Sequence, residues 1–202
     1  LGLKVALKDA VFIHPDLAFL ATSRGIFRCE WNSARIATVT PLPDFAFRIH
    51  HMVEDKAGNA LVASTSRGLY YIPHDGTAKR ILWGAEDIFP TAMYATGNRI
   101  FAASQKHGIL VLEKDQLVSQ IVPEIGSMET ISKLLIDQDR IFAKSSHGMY
   151  QLRMDGSMQR NIGKAFGFLK ARVFDFELAG DRLWASHSGG VQAIDLSLSA
   201  LR

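Results

Sequence analysis

The chain has 202 residues, of which 48% are hydrophobic and 21% are charged, and its net charge is +3. So small a charge, with no block of lysine or arginine, disfavours a nucleic-acid partner, and no apolar run approaches the roughly 18 residues of a membrane-spanning helix. The single cysteine, Cys29, excludes an internal disulfide bond.

A glycine followed by an aliphatic residue recurs five times along the chain, each time after a short strand-like run. The five glycines are about 40 residues apart: Gly25, Gly68, Gly108, Gly148 and Gly190. A period of that length, built from short strands, is typical of a β-propeller with one blade per repeat. The sequence therefore predicts an all-β fold, a β-propeller of about five four-stranded antiparallel blades.

The predicted elements follow one another in the same order in every repeat. First strands are expected at 9–13, 49–53, 91–95, 132–136 and 172–178, and fourth strands at 34–40, 78–83, 117–122 and 158–162. The second strand of each repeat ends before its glycine, and the third begins with it. A single domain over 1–202 is expected, with blades at approximately 8–40, 47–83, 91–122, 131–163 and 172–202.

A large apolar residue followed by a small one stands six or seven positions before most of the repeat glycines. The large residues are Phe19, Val62, Phe101, Phe142 and Trp184, and an alanine follows each of them except Phe19. A small side chain at this position allows neighbouring blades to approach closely, so we expect these alanines to be buried.

Two arrangements of the blades agree with the sequence. Residues 1–7 can supply a closing strand for a five-bladed ring, or the five blades can form an arc of a larger ring. An arc would leave two apolar blade faces uncovered, which favours association with further blades, with other domains or with a second copy in a homodimer. Because the chain begins inside repeat-like sequence, we interpret it as a mature or excised segment.

The second repeat carries the most specific pattern. After the strand at 49–53 it has an acidic turn, Glu54-Asp55 with Gly58-Asn59, then a strand ending in small residues and Thr65, then Gly68-Leu69-Tyr70. This run resembles the two-component-regulator propeller repeat. Later repeats keep the glycine and aliphatic residue but lose the acidic turn.

The resemblance implies the periplasmic sensor region of a bacterial sensor or hybrid histidine kinase, often one that responds to carbohydrates. It therefore implies a periplasmic or cell-envelope location, with membrane attachment only through parts outside this chain. Related propellers also have scaffold or adhesive roles.

Motifs for catalysis or for cofactor binding are missing from the sequence. There is no glycine-rich phosphate loop, no cysteine pair for zinc and no His-Glu-x-x-His helix. The adjacent His50 and His51 would point to opposite faces of a strand, and the carboxylates are too scattered for a glycosidase. We therefore expect a non-enzymatic protein with no cofactor and no metal.

One set of residues indicates a binding site. In a propeller, the turn between second and third strands opens on the same face as the loop leading into each first strand. We call this surface the turn face. Its turns carry cationic and imidazole side chains: Arg24, Arg67, Lys106, His107, His147 and His187. The loops add phenylalanines able to stack on a ligand: Phe45, Phe47, Phe89, Phe166 and Phe168.

Two functions remain open on this pattern. The first is an extracytoplasmic sensor module that binds a small polar or anionic ligand, with an oligosaccharide as the expected class. The second is a scaffold propeller in a cell-envelope or secretion assembly, whose turn tips are merely polar and whose phenylalanines belong to the core between blades.

Overall fold

The computed structural model describes residues 5–32, 35–74, 77–126, 129–162 and 173–196. Twenty β-strands lie within this part of the chain. The chain divides into two compact units, Leu1–Gln120 and Ile121–Arg202.

The first unit contains three sheets, which we call blades 1 to 3. Blade 1 consists of β1 (Leu7–His14), β2 (Leu17–Thr22), β3 (Gly25–Asn32) and β4 (Arg35–Pro41). Blade 2 consists of β5 (Ile49–Asp55), β6 (Ala60–Thr65), β7 (Gly68–Pro73), β8 (Lys79–Trp83) and the two-residue β9 (Glu86–Asp87). Blade 3 consists of β10 (Pro90–Thr96), β11 (Arg99–Ser104), β12 (Gly108–Glu113) and β13 (Gln116–Ile121).

The second unit contains two further sheets. Blade 4 consists of β14 (Lys133–Asp137), β15 (Arg140–Lys144), β16 (Met149–Arg153) and β17 (Met158–Asn161). Blade 5 consists of β18 (Val173–Ala179), β19 (Arg182–His187) and β20 (Gly190–Asp195).

These five antiparallel sheets are the five blades of a β-propeller, so the predicted fold is confirmed. In each sheet the strands pair in chain order, as short hairpin turns require. The short β9 was not predicted. Residues 196–202 are barely enough for a fourth strand in blade 5, and of these 197–202 lie outside the described residues, as do residues 1–4 of the proposed closing strand. The choice between a closed ring and an arc therefore stays a prediction.

Apolar side chains pack each blade of the first unit against its neighbour. Between blades 1 and 2, the buried side chains of Phe19 and Ile26 belong to the same cluster as those of Ile49 and Leu61. Between blades 2 and 3, Tyr71 is clustered with Ile100. Both faces of β6 are buried along all six residues, which explains its continuous run of small and aliphatic side chains.

The small residues before the turns are buried as expected. Ala63, Ala102, Ala143 and Ala185 are each no more than 1% exposed. The large residue in front of the alanine is also buried in three of the four repeats that have one, but Trp184 of blade 5 is 42% exposed.

Polar groups also connect the first strands of neighbouring blades. Oδ2 of Asp9 accepts a hydrogen bond of 2.9 Å from the backbone N–H of Met52, which joins β1 to β5. In the second unit, Nζ of Lys133 lies 2.7 Å from Oδ1 of Asp175 and 3.4 Å from Oε2 of Glu177, which joins β14 to β18. The carboxylates of Asp9 and Asp175 therefore serve contacts between blades.

The repeat glycines all have positive φ, and Gly25 shows why glycine is needed there. Its φ is +143°, and a Cβ atom at this position would lie 2.3 Å from the carbonyl oxygen of Phe45. The loop leading into blade 2 thus contacts the turn of blade 1 through the backbone, and no larger residue fits between them.

Candidate functional site

The turns between second and third strands in blades 1 and 2 are built in the same way. In each, a threonine Oγ1 donates a hydrogen bond of 2.9 Å to the repeat-glycine carbonyl: Thr22 to Gly25 and Thr65 to Gly68. The same oxygen accepts a bond from the backbone N–H two residues later, at Arg24 or Arg67. This closed turn holds the backbone of the arginine at its tip, and both arginines are exposed.

Arg67 contacts the loop that leads into its own blade. Its guanidinium carbon lies 4.7 Å from the ring centroid of Phe47, a cation–π arrangement. Phe47 is half-buried and its ring centroid is 6.0 Å from that of Tyr70. Phe45 is only 4% exposed and therefore belongs to the core between blades 1 and 2.

Lys106 and His107 are brought together around Glu86 of β9. The Lys106 ammonium and the Glu86 carboxylate form an ion pair, and this hydrogen bond and charge lower the pKa of Glu86. Nε2 of His107 lies 3.9 Å from Oε2 of Glu86. The His107 side chain is only 8% exposed and its ring centroid is 5.5 Å from that of Trp83.

Two polar atoms at β9 are buried without a hydrogen-bond partner in the described residues. They are Nε2 of His107 and Oδ1 of Asp87. The other oxygen of Asp87, Oδ2, lies 2.5 Å from Nη2 of Arg80. Buried polar groups are seldom left without partners, so these two atoms are exceptions within the first unit.

The other residues predicted for the binding site do not share contacts with one another in the described part of the chain. Arg24 makes no ion pair within the described part of the chain, and Phe89, at the start of blade 3, is 51% exposed. In blade 5, Nδ1 of His187 accepts a hydrogen bond of 3.0 Å from the backbone N–H of Gly189. Phe166 and Phe168 lie outside the described residues.

Blade 4 has a polar cluster that sequence reasoning missed. Glu129, in the loop before β14, accepts hydrogen bonds from the hydroxyls of Ser145 and Tyr150, the latter at 3.0 Å. Nδ1 of the exposed His147 is 3.9 Å from Oε1 of Glu129 and 3.0 Å from Oγ of Ser146. Burial is the main cause of a raised pKa at Tyr150, and the hydrogen bond to Glu129 raises this pKa further.

A common relationship connects these contacts, and it could have been found from the sequence. Arg67, Lys106 and His147 each contact a residue shortly before the first strand of their own blade: Phe47, Glu86 of β9 and Glu129. Searching those loops for carboxylates, as well as for phenylalanines, would have identified Glu86 and Glu129.

The turn face of the first unit therefore presents mixed charge. Glu86 neutralises Lys106, the Arg67 guanidinium lies over the ring of Phe47, and Phe89, three residues after Glu86, is exposed. Carboxylates and cations together can hydrogen-bond a ligand rich in hydroxyl groups, and exposed rings can cover its apolar faces. In the residues that the structure describes, no three His, Cys, Asp or Glu side chains are grouped closely enough to hold a metal ion.

No helix of the described chain is long and apolar enough to cross a membrane. No protein-family model matches the sequence, and no curated protein matches it either.

Comparison with solved structures shows the fold at low sequence identity. The WD40 β-propeller domain of Doa1 is 8% identical, with a TM-score of 0.75 over 98% of this chain and 67% of that one. The extracellular domain assigned to the hybrid two-component system BT3049 of B. thetaiotaomicron is 14% identical, with a TM-score of 0.72 over 96% of this chain. PorZ, a surface component of the type-IX secretion system of Porphyromonas gingivalis, is 12% identical, with a TM-score of 0.66 over 96% of this chain.

The chain spans only 27% of the BT3049 domain and 27% of PorZ. The structural likeness therefore concerns the blades alone, and the activity of a whole protein is a separate question.

Proposed function

We propose that this chain is a non-enzymatic, ligand-sensing propeller module in the extracytoplasmic part of a bacterial two-component signalling protein. The ligand is an oligosaccharide, and the location is the periplasm or the cell envelope. The observation that supports the proposal best is the similarity in fold to the extracellular domain of BT3049, together with the two-component-regulator pattern of residues 49–72.

The binding surface proposed is the turn face of the first unit. Its polar groups are the Arg67 guanidinium, the Glu86 carboxylate and the Lys106 ammonium, and its exposed ring is Phe89. A neutral sugar suits this surface better than a strongly anionic ligand does, because Glu86 already compensates Lys106.

Isothermal titration calorimetry with neutral oligosaccharides of three to six residues tests this proposal, and a second series containing uronic acids tests the charge preference. We expect at least one neutral oligosaccharide to bind and to raise the melting temperature, as any ligand specific for the folded state does. Phe89→Ala and Arg67→Gln should each weaken that binding about tenfold, equivalent to roughly 1.4 kcal/mol.

Matched controls lie in the same unit but away from the turn face. Phe12 is 65% exposed and Arg35 is exposed at the start of β4, so Phe12→Ala and Arg35→Gln remove the same groups elsewhere. Binding that is unaffected by the turn-face variants, or the absence of binding by every oligosaccharide, would overturn the proposal.

A second candidate function is a scaffold in a cell-envelope or secretion assembly. The similarity to PorZ favours it, and so does an apolar surface on blade 5. Trp184 and Val191 lie on the same face of the β19–β20 pair and are 42% and 69% exposed.

A scaffold that associates through blade 5 should sediment as a dimer or larger species, and Trp184→Ser with Val191→Ser should return it to a monomer. A monomeric wild-type chain would count against association through this surface.

A further inference from the structure

A cavity of about 220 Å³ lies between blades 1 and 2, away from the residues proposed for the sugar site. Its apolar wall is formed by Phe19, Leu61 and Ile72, which are 6%, 0% and 5% exposed. The polar residues Arg28, Thr40 and His74 also line it, together with Leu42 and three prolines. This is the combination of an apolar interior with a few polar groups that small-molecule sites use.

The register of blade 1 explains how the polar and apolar groups come together. Phe19 pairs with Arg28 across β2 and β3, and Arg28 pairs with Thr40 across β3 and β4. Directly paired residues lie on the same face of a sheet. Phe19, Arg28 and Thr40 therefore form one row across blade 1, on the face whose Phe19 packs against blade 2.

The identity of residue 28 explains why space remains at this place. Three residues after the repeat glycine, blades 2 and 3 have Tyr71 and Val111, which are 5% and 3% exposed and fill the space beside them. Blade 1 has Arg28 at the equivalent position, and its side chain is 49% exposed. An arginine keeps its charge in water, so it does not fill the interior as a tyrosine does.

Arg28 retains hydrogen-bonding capacity at the edge of the cavity. Its Nη2 contacts Oε1 of Glu30 at 2.7 Å, whereas a guanidinium has five N–H donors. Thr40, its neighbour in the row, is exposed and offers a hydroxyl. The ring centroid of His74 lies 5.6 Å from that of Phe19 in a stacked arrangement.

We propose that this cavity binds a small monocyclic carboxylate, with its ring against Phe19, Leu61 and Ile72 and its carboxylate on Arg28. The volume suits one ring, because a dry apolar cavity of about 150 Å³ is enough to bind benzene. The three prolines that also line the cavity, Pro41, Pro43 and Pro73, have no N–H groups. Arg28 brings a guanidinium to the cavity. Its ion pair with Glu30 engages Nη2, and the remaining guanidinium N–H donors are the groups that bind the carboxylate in this proposal.

Benzoate is the probe that tests the proposal, with benzamide as the neutral ring of the same size and acetate as the carboxylate without a ring. Binding is followed by calorimetry and by two-dimensional NMR of the whole chain. We expect benzoate to bind more tightly than either comparison compound. Arg28→Gln should weaken benzoate about tenfold and leave benzamide unchanged, whereas Arg35→Gln should change neither.

A second variant tests the position of the ring. Thr40→Phe adds an aromatic side chain at the edge of the cavity, in a strand that accommodates aromatic residues, and it should weaken benzoate and benzamide alike. Thermal unfolding verifies that each variant is folded. Failure of benzoate to bind, or binding unaffected by both Arg28→Gln and Thr40→Phe, would overturn the proposal without bearing on the sugar site.

Discussion

The Tyr71 hydroxyl donates a hydrogen bond of 3.0 Å to Oδ2 of Asp55, and these residues are only 5% and 2% exposed. Oδ1 of Asp55 accepts a further bond of 3.0 Å from the backbone N–H of Gly58. The acidic turn between β5 and β6 is thereby joined to β7, the third strand of the same blade. The acidic residue of the two-component-regulator pattern thus has a structural role in this chain.

Replacing Tyr71 by phenylalanine should destabilise the first unit by about 1–3 kcal/mol, because Asp55 would keep its burial and lose a hydrogen-bond donor. Tyr70→Phe is the matched control. The Tyr70 hydroxyl has no hydrogen-bond partner in the described part of the chain, so its removal should cost less than about 0.5 kcal/mol. Urea unfolding of both variants measures the difference, and equal losses would contradict the assigned role of Asp55.

Alkaline pH should also weaken the fold through Tyr71. Burial and the neighbouring Asp55 raise the pKa of Tyr71 from 10.0 to about 12. The folded state therefore holds the phenolic proton more tightly than the unfolded chain. The resulting stabilisation is fully present below pH 10.0 and is lost as the pH rises through about 12.

The measurement is the free energy of unfolding in urea between about pH 9 and pH 12. This range begins roughly one pH unit below the ordinary pKa of tyrosine and ends at the raised pKa of Tyr71. Tyr71→Phe should remove part of the decline. Tyr150, whose pKa is likewise raised by burial and by Glu129, accounts for a further part. An identical decline in wild type and Tyr71→Phe would rule out the linkage.

The repeat pattern was sufficient to predict the blades because the same physical requirements recur in each of them. A glycine at positive φ occupies each of these turns, and a buried alanine stands before it in blades 2 to 5, as Ala63 does before Gly68. Such requirements leave a fixed residue at a fixed spacing. The first strands of all five blades were located for this reason.

The candidate site was predicted less completely because its contacts are made by side chains of irregular loops. His107 and Lys106 are adjacent in sequence, yet the first is buried against Trp83 and the second is exposed beside Glu86. Glu86 and Glu129 each stand four residues before the first strand of their blade, which begins at Pro90 or Lys133. The same position before blade 2 holds Phe45, so the repeat pattern alone does not mark a carboxylate there. The cavity beside Arg28 depends on a residue that departs from the repeat, which a search for regularity passes over.

The substitution Gly25→Ala should destabilise the protein more than a glycine-to-alanine substitution at another position of positive φ. The new Cβ would lie 2.3 Å from the Phe45 carbonyl oxygen, so the loop before blade 2 would have to move. Gly97 is the control, because its φ is +58° and nothing lies within 4 Å of a Cβ there. We expect Gly97→Ala to cost about 1 kcal/mol for the backbone conformation alone and Gly25→Ala about 3 kcal/mol. Comparable melting temperatures would contradict the close approach.

In the second unit, substitutions at Glu129 and at its hydrogen-bond partner Tyr150 should have non-additive effects on stability. Its carboxylate accepts the hydroxyls of Ser145 and Tyr150, and Ser145 is only 5% exposed. Glu129→Ala leaves both donors without this acceptor and should cost about 2 kcal/mol, whereas Tyr150→Phe removes one bond and should cost about 1 kcal/mol. The two changes disrupt the same hydrogen bond. The double variant should therefore lose about 1 kcal/mol less unfolding free energy than the sum of the two single losses.

The cycle is measured by urea unfolding of the full chain, with Glu129→Ala combined with Asp181→Ala as its control. Asp181 is exposed in the turn between β18 and β19, and within the described residues no hydrogen bond or ion pair joins its side chain to Glu129. That pair should be additive within about 0.3–0.5 kcal/mol. If Glu129 and Tyr150 are also additive, the hydrogen bond between them contributes nothing to stability. A positive coupling instead shows that the loop before blade 4 is attached to its third strand through this carboxylate.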